Sequence, residues 1–178
     1  MTCVVAKVED GKIFMVADKC GSDGYTKILV DRPKVFINGG FIIGYTTSFR
    51  MGQLLEFTWS PPEQLSSQSD EVFIYKVVVE SIKNTLKSDG FATDTSGGSF
   101  LFGYKGVLYE MQPDYAIFKI PSYSAVGCGS EEAKAVMYTL DQIGYEGSME
   151  ECLVLAVKAS SVSKAGVSSE YDYLVLDK

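Results

Sequence analysis

Three residues near the start of the chain have the types and the spacing of a hydrolytic site. Thr2 carries a hydroxyl directly after the first methionine, Asp18 closes an apolar stretch, and Lys34 opens another. A threonine hydroxyl is a poor nucleophile at neutral pH and needs a nearby base. The sequence contains no histidine, so a hydrolase built on this chain must find another base.

The α-amine of Thr2 is the candidate base. Methionine is generally removed when a small residue follows it, and loss of Met1 would give Thr2 a free amine beside its hydroxyl. The reference pKa of an α-amine is about 8, against about 10.4 for lysine, so a fair fraction of it is neutral at pH 7. A threonine after methionine is common by itself, so the prediction depends on its neighbours.

Asp18 and Lys34 supply those neighbours. Residues 2–17 read as two strands joined by an Asp-Gly turn, and antiparallel pairing then brings Asp18 close to the N-terminus. Lys34 begins the next predicted hairpin. A buried lysine paired with Asp18 would hold positive charge beside the Thr2 hydroxyl, which favours the alkoxide and lowers the pKa of the amine. Either charge alone is more often a solvated surface group.

The hydrophobic patterns indicate the elements that must position these residues. Strand patterns cover residues 2–8, 12–17, 27–30, 34–38, 41–47, 100–105, 107–112, 115–120, 122–126 and 171–177. Helical patterns cover residues 48–59, 70–88, 131–143 with Ser130 as N-cap, and 149–160. A run of β-branched residues weakens the second of these helices.

The order of these elements predicts the fold class. Blocks of strands alternate with pairs of helices, which favours α+β over alternating βαβ units. The sequence therefore predicts a four-layer αββα sandwich, in which two antiparallel sheets pack face to face and each is covered by a helix pair. A chain of 178 residues is expected to form a single domain, residues 1–178.

Composition excludes several classes of function. The net charge of -7 and the lack of a basic stripe argue against nucleic-acid binding. No apolar run approaches the roughly 20 residues that span a bilayer, and no signal-peptide pattern is found. Four scattered cysteines without a C-x-x-C pair are typical of reduced thiols rather than of a metal site. We expect a cytoplasmic protein without metal or cofactor.

The N-terminal motif resembles a known family. M-T-x-V-V-A-x-x-x-D-G-K-x-x-M-x-A-D-K is similar to the start of proteasome β-subunits, and especially of the bacterial HslV-type subunits, which are N-terminal-nucleophile (Ntn) hydrolases. Thr2, Asp18 and Lys34 match the family's nucleophile, aspartate and lysine. The stretches FIIGYTTS, FLFGYKGVLYEM and YSAVGCGSEEAKAV extend the resemblance over nearly the whole chain.

The resemblance implies a role for each matching residue. Thr2 would be the nucleophile and, through its amine, the general base, with Asp18 and Lys34 as the electrostatic pair. The Gly-Cys-Gly turn at Cys128 would supply backbone N–H groups to the developing oxyanion, with Gly129 as the donor. The residues implied to bind an extended substrate are Ser22, Tyr45, Thr46 and Thr47.

Three features depart from the family pattern. Cys128 stands where the family often has a serine, and a thiol is a weaker hydrogen-bonding group. The family's later Asp and Ser have no clear match in ASSVSKAG, where Ser161 and Ser163 are the candidate substitutes. Finally, a retained Met1 would displace the α-amine and disable Thr2.

The resemblance implies a threonine-type endopeptidase acting on peptides or unfolded proteins. It also implies a homo-oligomeric ring, two rings stacked, served by an ATP-dependent unfoldase. One alternative is a catalytically inactive shell subunit, against which the intact set of Thr2, Asp18 and Lys34 argues. Another is an Ntn amidohydrolase for small amides, against which the compact chain argues.

Overall fold

Eleven strands and five α-helices form the part of the chain that the computed structural model describes, residues 2–23, 25–88, 90–91 and 95–178. The strands are β1 Cys3–Glu9, β2 Lys12–Asp18, β3 Cys20–Ser22, β4 Lys27–Leu29, β5 Val35–Asn38, β6 Phe41–Tyr45, β7 Phe100–Tyr104, β8 Val107–Met111, β9 Ile117–Ile120, β10 Tyr123–Gly127 and β11 Tyr171–Leu176. The α-helices are α1 Phe49–Phe57, α2 Asp70–Val72, α3 Val79–Ser88, α4 Ser130–Ile143 and α5 Met149–Ser163. Met1 and part of the stretch 89–99, which joins α3 to β7, lie outside the described residues.

Two antiparallel sheets carry most of the strands. One has the order β10-β1-β2-β11 and the other the order β5-β6-β7-β8-β9, while β3 and β4 form a separate short hairpin. The first hairpin turns as its Asp-Gly signal predicts, because Asp10 and Gly11 have φ values of 50° and 77°, which a type I′ turn requires. The strand β3 was not predicted from the sequence.

Three apolar cores separate four layers of secondary structure. One core lies between the five-stranded sheet and the helices α1 and α3, and includes Phe41, Leu54 and Phe73. A second lies between the other sheet and α4 and α5, and a third lies between the two sheets and includes Val4 and Ile42. The predicted α+β, four-layer αββα sandwich is confirmed.

The central strand β1 is buried on both faces. Cys3 and Val5 belong to the core under the helices, whereas Val4 and Ala6 belong to the core between the sheets. This alternation is the period-2 geometry of a strand. Because Val4 is opposite the residue before Asp18 in the register with β2, the start of β1 and the end of β2 meet at one end of the sheet.

The predicted helix over residues 70–88 is interrupted. A π-helix, Phe73–Val78, separates α2 from α3. This segment and the residue after it include three consecutive valines, and β-branched side chains crowd the preceding turn of an α-helix. π-Helices are rare, and most of them are single-turn bulges within α-helices.

The helices α4 and α5 are capped differently at their N-termini. The N-cap of α4 is Gly129, without a side-chain cap, and Ser130 is the first helical residue, so the predicted Ser130 cap is wrong. By contrast, α5 begins with a reciprocal capping box between Ser148 and Glu151, a pattern worth about 1 kcal/mol at such a position. This helix also continues to Ser163 rather than ending at residue 160.

The described residues contain neither a membrane-spanning helix nor a cluster of metal ligands. No described helix combines the length and the apolar character that crossing a bilayer requires. Within the same residues no group of three His, Cys, Asp or Glu side chains could hold a metal ion. The four cysteines are free thiols, and three of them are buried.

Close contact between the two sheets generates a stability prediction at Gly44. A Cβ added there would lie 2.5 Å from Met15 Sδ and 2.5 Å from Val4 Cγ1. We expect Gly44→Ala to lower the free energy of unfolding by about 1–3 kcal/mol, because overpacking a core forces side chains and backbone to shift. Urea unfolding measures this, with Glu63→Ala in an exposed loop as control. An unchanged midpoint for Gly44→Ala would contradict the packing described.

Candidate active site

A buried ion pair forms the base of the candidate site. Lys34 Nζ lies 3.0 Å from Asp18 Oδ1, and the two side chains are 1% and 0% exposed. Lys34 Nζ also donates to the carbonyl of Cys20 at 2.6 Å. Burial lowers the pKa of Lys34, and the charge of Asp18 opposes that shift only in part. Two charges so far from water need several hydrogen bonds to be tolerated.

The carboxylate of Asp18 obtains those bonds from the backbone. Its Oδ1 accepts the N–H of Cys3 at 2.8 Å. Its Oδ2 accepts the N–H of Cys20 at 2.9 Å and that of Ser168 at 3.2 Å. Asp18 therefore joins the start of β1, the start of β3 and the segment after α5.

Ser168 was missed by the sequence analysis. Its hydroxyl accepts the N–H of Lys19 at 3.1 Å and donates to the carbonyl of Glu170 at 3.0 Å, which fixes the segment that brings its own N–H to Asp18. The serine is 150 residues from Asp18 in sequence, so no local pattern connects the two.

Thr2 is held by the turn between β10 and α4. The carbonyl oxygen of Thr2 accepts the N–H of Gly129 at 3.3 Å and the thiol of Cys128 at 3.5 Å. Gly127, at φ 97°, allows this approach, since a Cβ there would lie 2.2 Å from the Thr2 carbonyl oxygen. Thr2 itself is only 3% exposed.

This arrangement bears on the role that the resemblance implies for Gly129. Gly129 was expected to donate its N–H to an oxyanion, but that N–H is bonded to the Thr2 carbonyl. A single backbone proton directed at one oxygen is not free for another. In this structure Gly129 and Cys128 position the backbone of Thr2.

Helix α5 also contacts this turn, through Ser160. Ser160 is fully buried, and its hydroxyl lies 2.7 Å from the carbonyl oxygen of Gly129. The thiol of Cys3 lies 3.6 Å from the same oxygen. Burial raises the pKa of Cys3 to about 12, so this thiol stays neutral near pH 7 and is a poor nucleophile.

Ser160 lies in the same stretch as Ser161 and Ser163, the two residues predicted to replace the family's later Asp and Ser. The hydroxyl of Ser161 donates to the carbonyl of Lys158. The hydroxyl of Ser163 donates to Glu132. Both hydroxyls are exposed, so of these three serines Ser160 alone contacts the turn that holds Thr2.

Two clefts border Thr2. The smaller has a volume of about 60 Å³, and the larger about 300 Å³. Besides Thr2, the smaller is lined by Ser22, Lys34, Tyr45, Thr47, Ser48 and Phe49. The larger is lined by Thr46, Thr47, Ser99, Gly127 and Cys128. The residues expected to bind substrate are therefore all at these clefts, with Thr46 at the larger one only.

Thr47 lines both clefts and has an unusual backbone. Its φ is 70°, which is a true outlier for a β-branched residue. The N–H of Ser48 bonds to the carbonyl of Thr46 at 2.7 Å, closing a three-residue turn around Thr47. Among the described residues no acceptor is found for the N–H of Thr47. Strained backbone of this kind clusters at functional sites.

Solved structures share this architecture over the whole chain. Thiobacillus denitrificans BPH, a bacterial proteasome homologue, in complex with epoxomicin matches with a TM-score of 0.84 and 18% identity over 98% of both chains. The chain has the proteasome-like Ntn hydrolase fold. The eukaryotic HslV from Trypanosoma brucei matches with a TM-score of 0.71 and 14% identity over 99% of both chains.

A third structure with this Ntn fold is the helical assembly of the Anbu complex from Pseudomonas aeruginosa. It matches with a TM-score of 0.64 and 16% identity, covering 98% of this chain and 80% of that one. No protein-family sequence model matches the chain, and no curated protein matches it by sequence. The fold expected from the N-terminal motif is thus confirmed, while the roles of individual residues rest on their geometry here.

The buried pair generates a prediction on stability. Lys34→Met would leave the carboxylate of Asp18 buried without its counter-charge, so we expect the free energy of unfolding to fall by about 3–5 kcal/mol. Lys12→Met is the matched control, because its ion pair with Asp177 is 54% and 75% exposed and such a pair contributes about 0–1 kcal/mol. Urea unfolding of both variants measures the difference. An equal loss of unfolding free energy in the two variants would show that the buried pair contributes no more to stability than the exposed one.

Proposed function

We propose that the chain is a threonine-type endopeptidase that cleaves peptide bonds with Thr2, once removal of Met1 has freed its α-amine. The observation that carries this proposal is the fully buried Lys34–Asp18 pair at the end of the sheet where Thr2 directly precedes β1. A buried charge pair is costly to a fold. The BPH structure with the same fold contains epoxomicin, which supports a ligand site in this architecture.

The first chemical step is attack by the Thr2 hydroxyl. The neutral α-amine takes the hydroxyl proton, directly or through a water, while Oγ forms a bond to the carbonyl carbon of the peptide. The ammonium group of Lys34 favours the developing alkoxide and also keeps the amine from being protonated too readily. Asp18 holds that ammonium group in place.

The negative charge that develops on the substrate oxygen needs a preorganised donor. The N–H of Thr47 is the proposed donor, because it borders both clefts and has no acceptor among the described residues. Removing one such donor typically costs a factor of about 10²–10³ in kcat. The intermediate collapses as the C–N bond breaks, and the leaving amine takes the proton from the α-ammonium. Water then hydrolyses the Thr2 ester.

The substrate is proposed to bind as an extended strand. Ser22, Tyr45 and Thr47 line the smaller cleft and Thr46 lines the larger one, which suits backbone pairing with a peptide that runs along both. Peptides and unfolded proteins can adopt this extended form. A folded protein substrate would need prior unfolding, which is the reason to propose an ATP-dependent unfoldase as partner.

Met1 sets the condition for this activity. While it is attached, the nitrogen of Thr2 is part of a peptide bond and has no basic lone pair. Cys128 adds a second constraint, since its weak thiol donor contacts the Thr2 carbonyl where a hydroxyl would bond more strongly. A chain that kept Met1 would instead serve as an inactive shell subunit, which is the competing function.

We further propose a cytoplasmic homo-oligomeric ring, with two rings stacked. Large apolar side chains exposed on this single chain offer surfaces for contacts between copies. They include Tyr25, Ile28, Leu29, Phe57, Leu65, Phe118, Tyr138, Ile143 and Val162. The Anbu protein with the same fold is described as a helical assembly. Native mass spectrometry tests this proposal, and a monomer at all concentrations would contradict it.

Covalent labelling tests the peptidase proposal. The protein is incubated with epoxomicin, and its intact mass is measured before and after. We expect a chain without Met1 that gains one adduct, located on Thr2 by peptide mapping, because the activated hydroxyl is the nucleophile. Thr2→Ala should gain none, whereas Thr139→Ala, an exposed threonine on α4, should react like the wild type.

Two outcomes would count against the proposal. An adduct of the same extent on Thr2→Ala would assign the nucleophile elsewhere. An unmodified wild-type chain that still carries Met1 would favour the inactive shell subunit.

A further inference from the structure

The two clefts at Thr2 divide the substrate into an acyl side and a leaving side. Ser22 and Thr47 flank the smaller cleft, and an extended peptide pairing with both must pass over it. Gly127 and Cys128 line the larger cleft, which Ser22 does not reach. The side chain of the residue whose carbonyl is attacked therefore points into the smaller cleft, and the leaving amine faces the larger one.

We infer that this site is specific for a short, uncharged side chain, that of Gly, Ala or Ser, on the residue whose carbonyl Thr2 attacks. This inference rests on the proposed peptidase function. The smaller cleft has a volume of about 60 Å³, whereas a cavity that binds benzene measures about 150 Å³. A methyl or hydroxymethyl group fits this space, and an aromatic ring does not.

The ring of Tyr45, which forms one wall of the smaller cleft, is packed too tightly to move away from a larger substrate side chain. Tyr45 is 2% exposed, and its ring packs on the backbone of α1 at Gly52, where an added Cβ would lie 2.3 Å from ring atoms. The ring of Phe49 meets it edge-on with centroids 6.2 Å apart. Close-packed interiors yield little to an oversized group, so the wall formed by the buried Tyr45 ring is fixed, and Phe49 closes the cleft beside it.

The charge in the cleft is already neutralised. Lys34 lines it, but its ammonium group is bonded to Asp18 Oδ1 and to the Cys20 carbonyl. An acidic substrate side chain would therefore meet no free counter-ion. The other polar side chains that line the cleft carry hydroxyls, namely Thr2, Ser22, Tyr45, Thr47 and Ser48, which suit a neutral residue.

Phe49 also separates the smaller cleft from a third one. That neighbouring cleft has a volume of about 340 Å³ and is lined by Gly21, Ser22, Asp23, Thr26, Ile28 and Phe49. Since Phe49 borders both spaces, truncating its ring joins them. The side chain is 38% exposed, so its removal disturbs the core less than removal of Tyr45.

Peptide substrates that differ at one position test the inference. Fluorogenic peptides identical except for Ala, Leu or Phe at the residue that carries the scissile carbonyl are compared by kcat/KM with the wild-type protein lacking Met1. One added methylene in a tight pocket changes discrimination by roughly 10–200-fold, so we expect the Ala peptide to exceed the Phe peptide by at least about 100-fold.

Two variants locate the determinant. Phe49→Ala should reduce this preference at least tenfold, by raising kcat/KM for the Phe peptide rather than by lowering that for the Ala peptide. Phe57→Ala is the matched control. It removes a ring at the other end of α1 that is 64% exposed and lies under Arg32, so the preference should stay unchanged.

The outcomes separate this inference from the function on which it rests. Cleavage of the Phe peptide as fast as the Ala peptide by the wild-type protein would overturn the inference and leave the peptidase function standing. Cleavage of none of the peptides would overturn both. An unchanged preference in folded Phe49→Ala protein would show that Phe49 does not limit the size of the side chain that the cleft accepts. If that variant does not fold, the comparison of peptides with the wild-type protein still tests the size limit.

Discussion

The buried pair of Lys34 and Asp18 is the interaction on which the site depends. Its desolvation cost is several kcal/mol per ion before any compensation, and the compensation comes from three backbone N–H groups and one carbonyl. Those groups belong to three separate segments of the chain. The pair therefore cannot be satisfied unless β1, β3 and the segment after α5 meet at one point, which lies beside Thr2, the residue before β1.

A second constraint fixes the orientation of Thr2. The Gly-Cys-Gly turn donates two hydrogen bonds to the Thr2 carbonyl. The hydroxyl of Ser160 in α5 donates to the carbonyl of Gly129 in the same turn. The helix layer, the sheet edge and the nucleophile are thus connected through short polar contacts. Such a network restricts motion of Thr2, and placing a reacting group in advance is one source of catalytic rate.

The local parts of this arrangement could be predicted from the sequence, and the long-range parts could not. The first hairpin follows from alternation and an Asp-Gly turn, and it alone places Asp18 near Thr2. Ser160 and Ser168 reach the site through single contacts across the fold, which leave no periodic pattern. The bond from the Gly129 N–H to the Thr2 carbonyl could not be predicted either, because the partner of one backbone N–H depends on the tertiary position of Thr2.

The most direct test of the account is the pH dependence of acylation of Thr2 in the protein lacking Met1. Single-turnover rates are measured with one peptide ester between pH 5 and 9. Because the ammonium group of Lys34 disfavours a second positive charge nearby, we expect the rate to fall on acidification with an apparent pKa below about 7.7, the ordinary lower value of an α-amine. A rate that does not change with pH across this range, or an apparent pKa above that of a free α-amine, would contradict it.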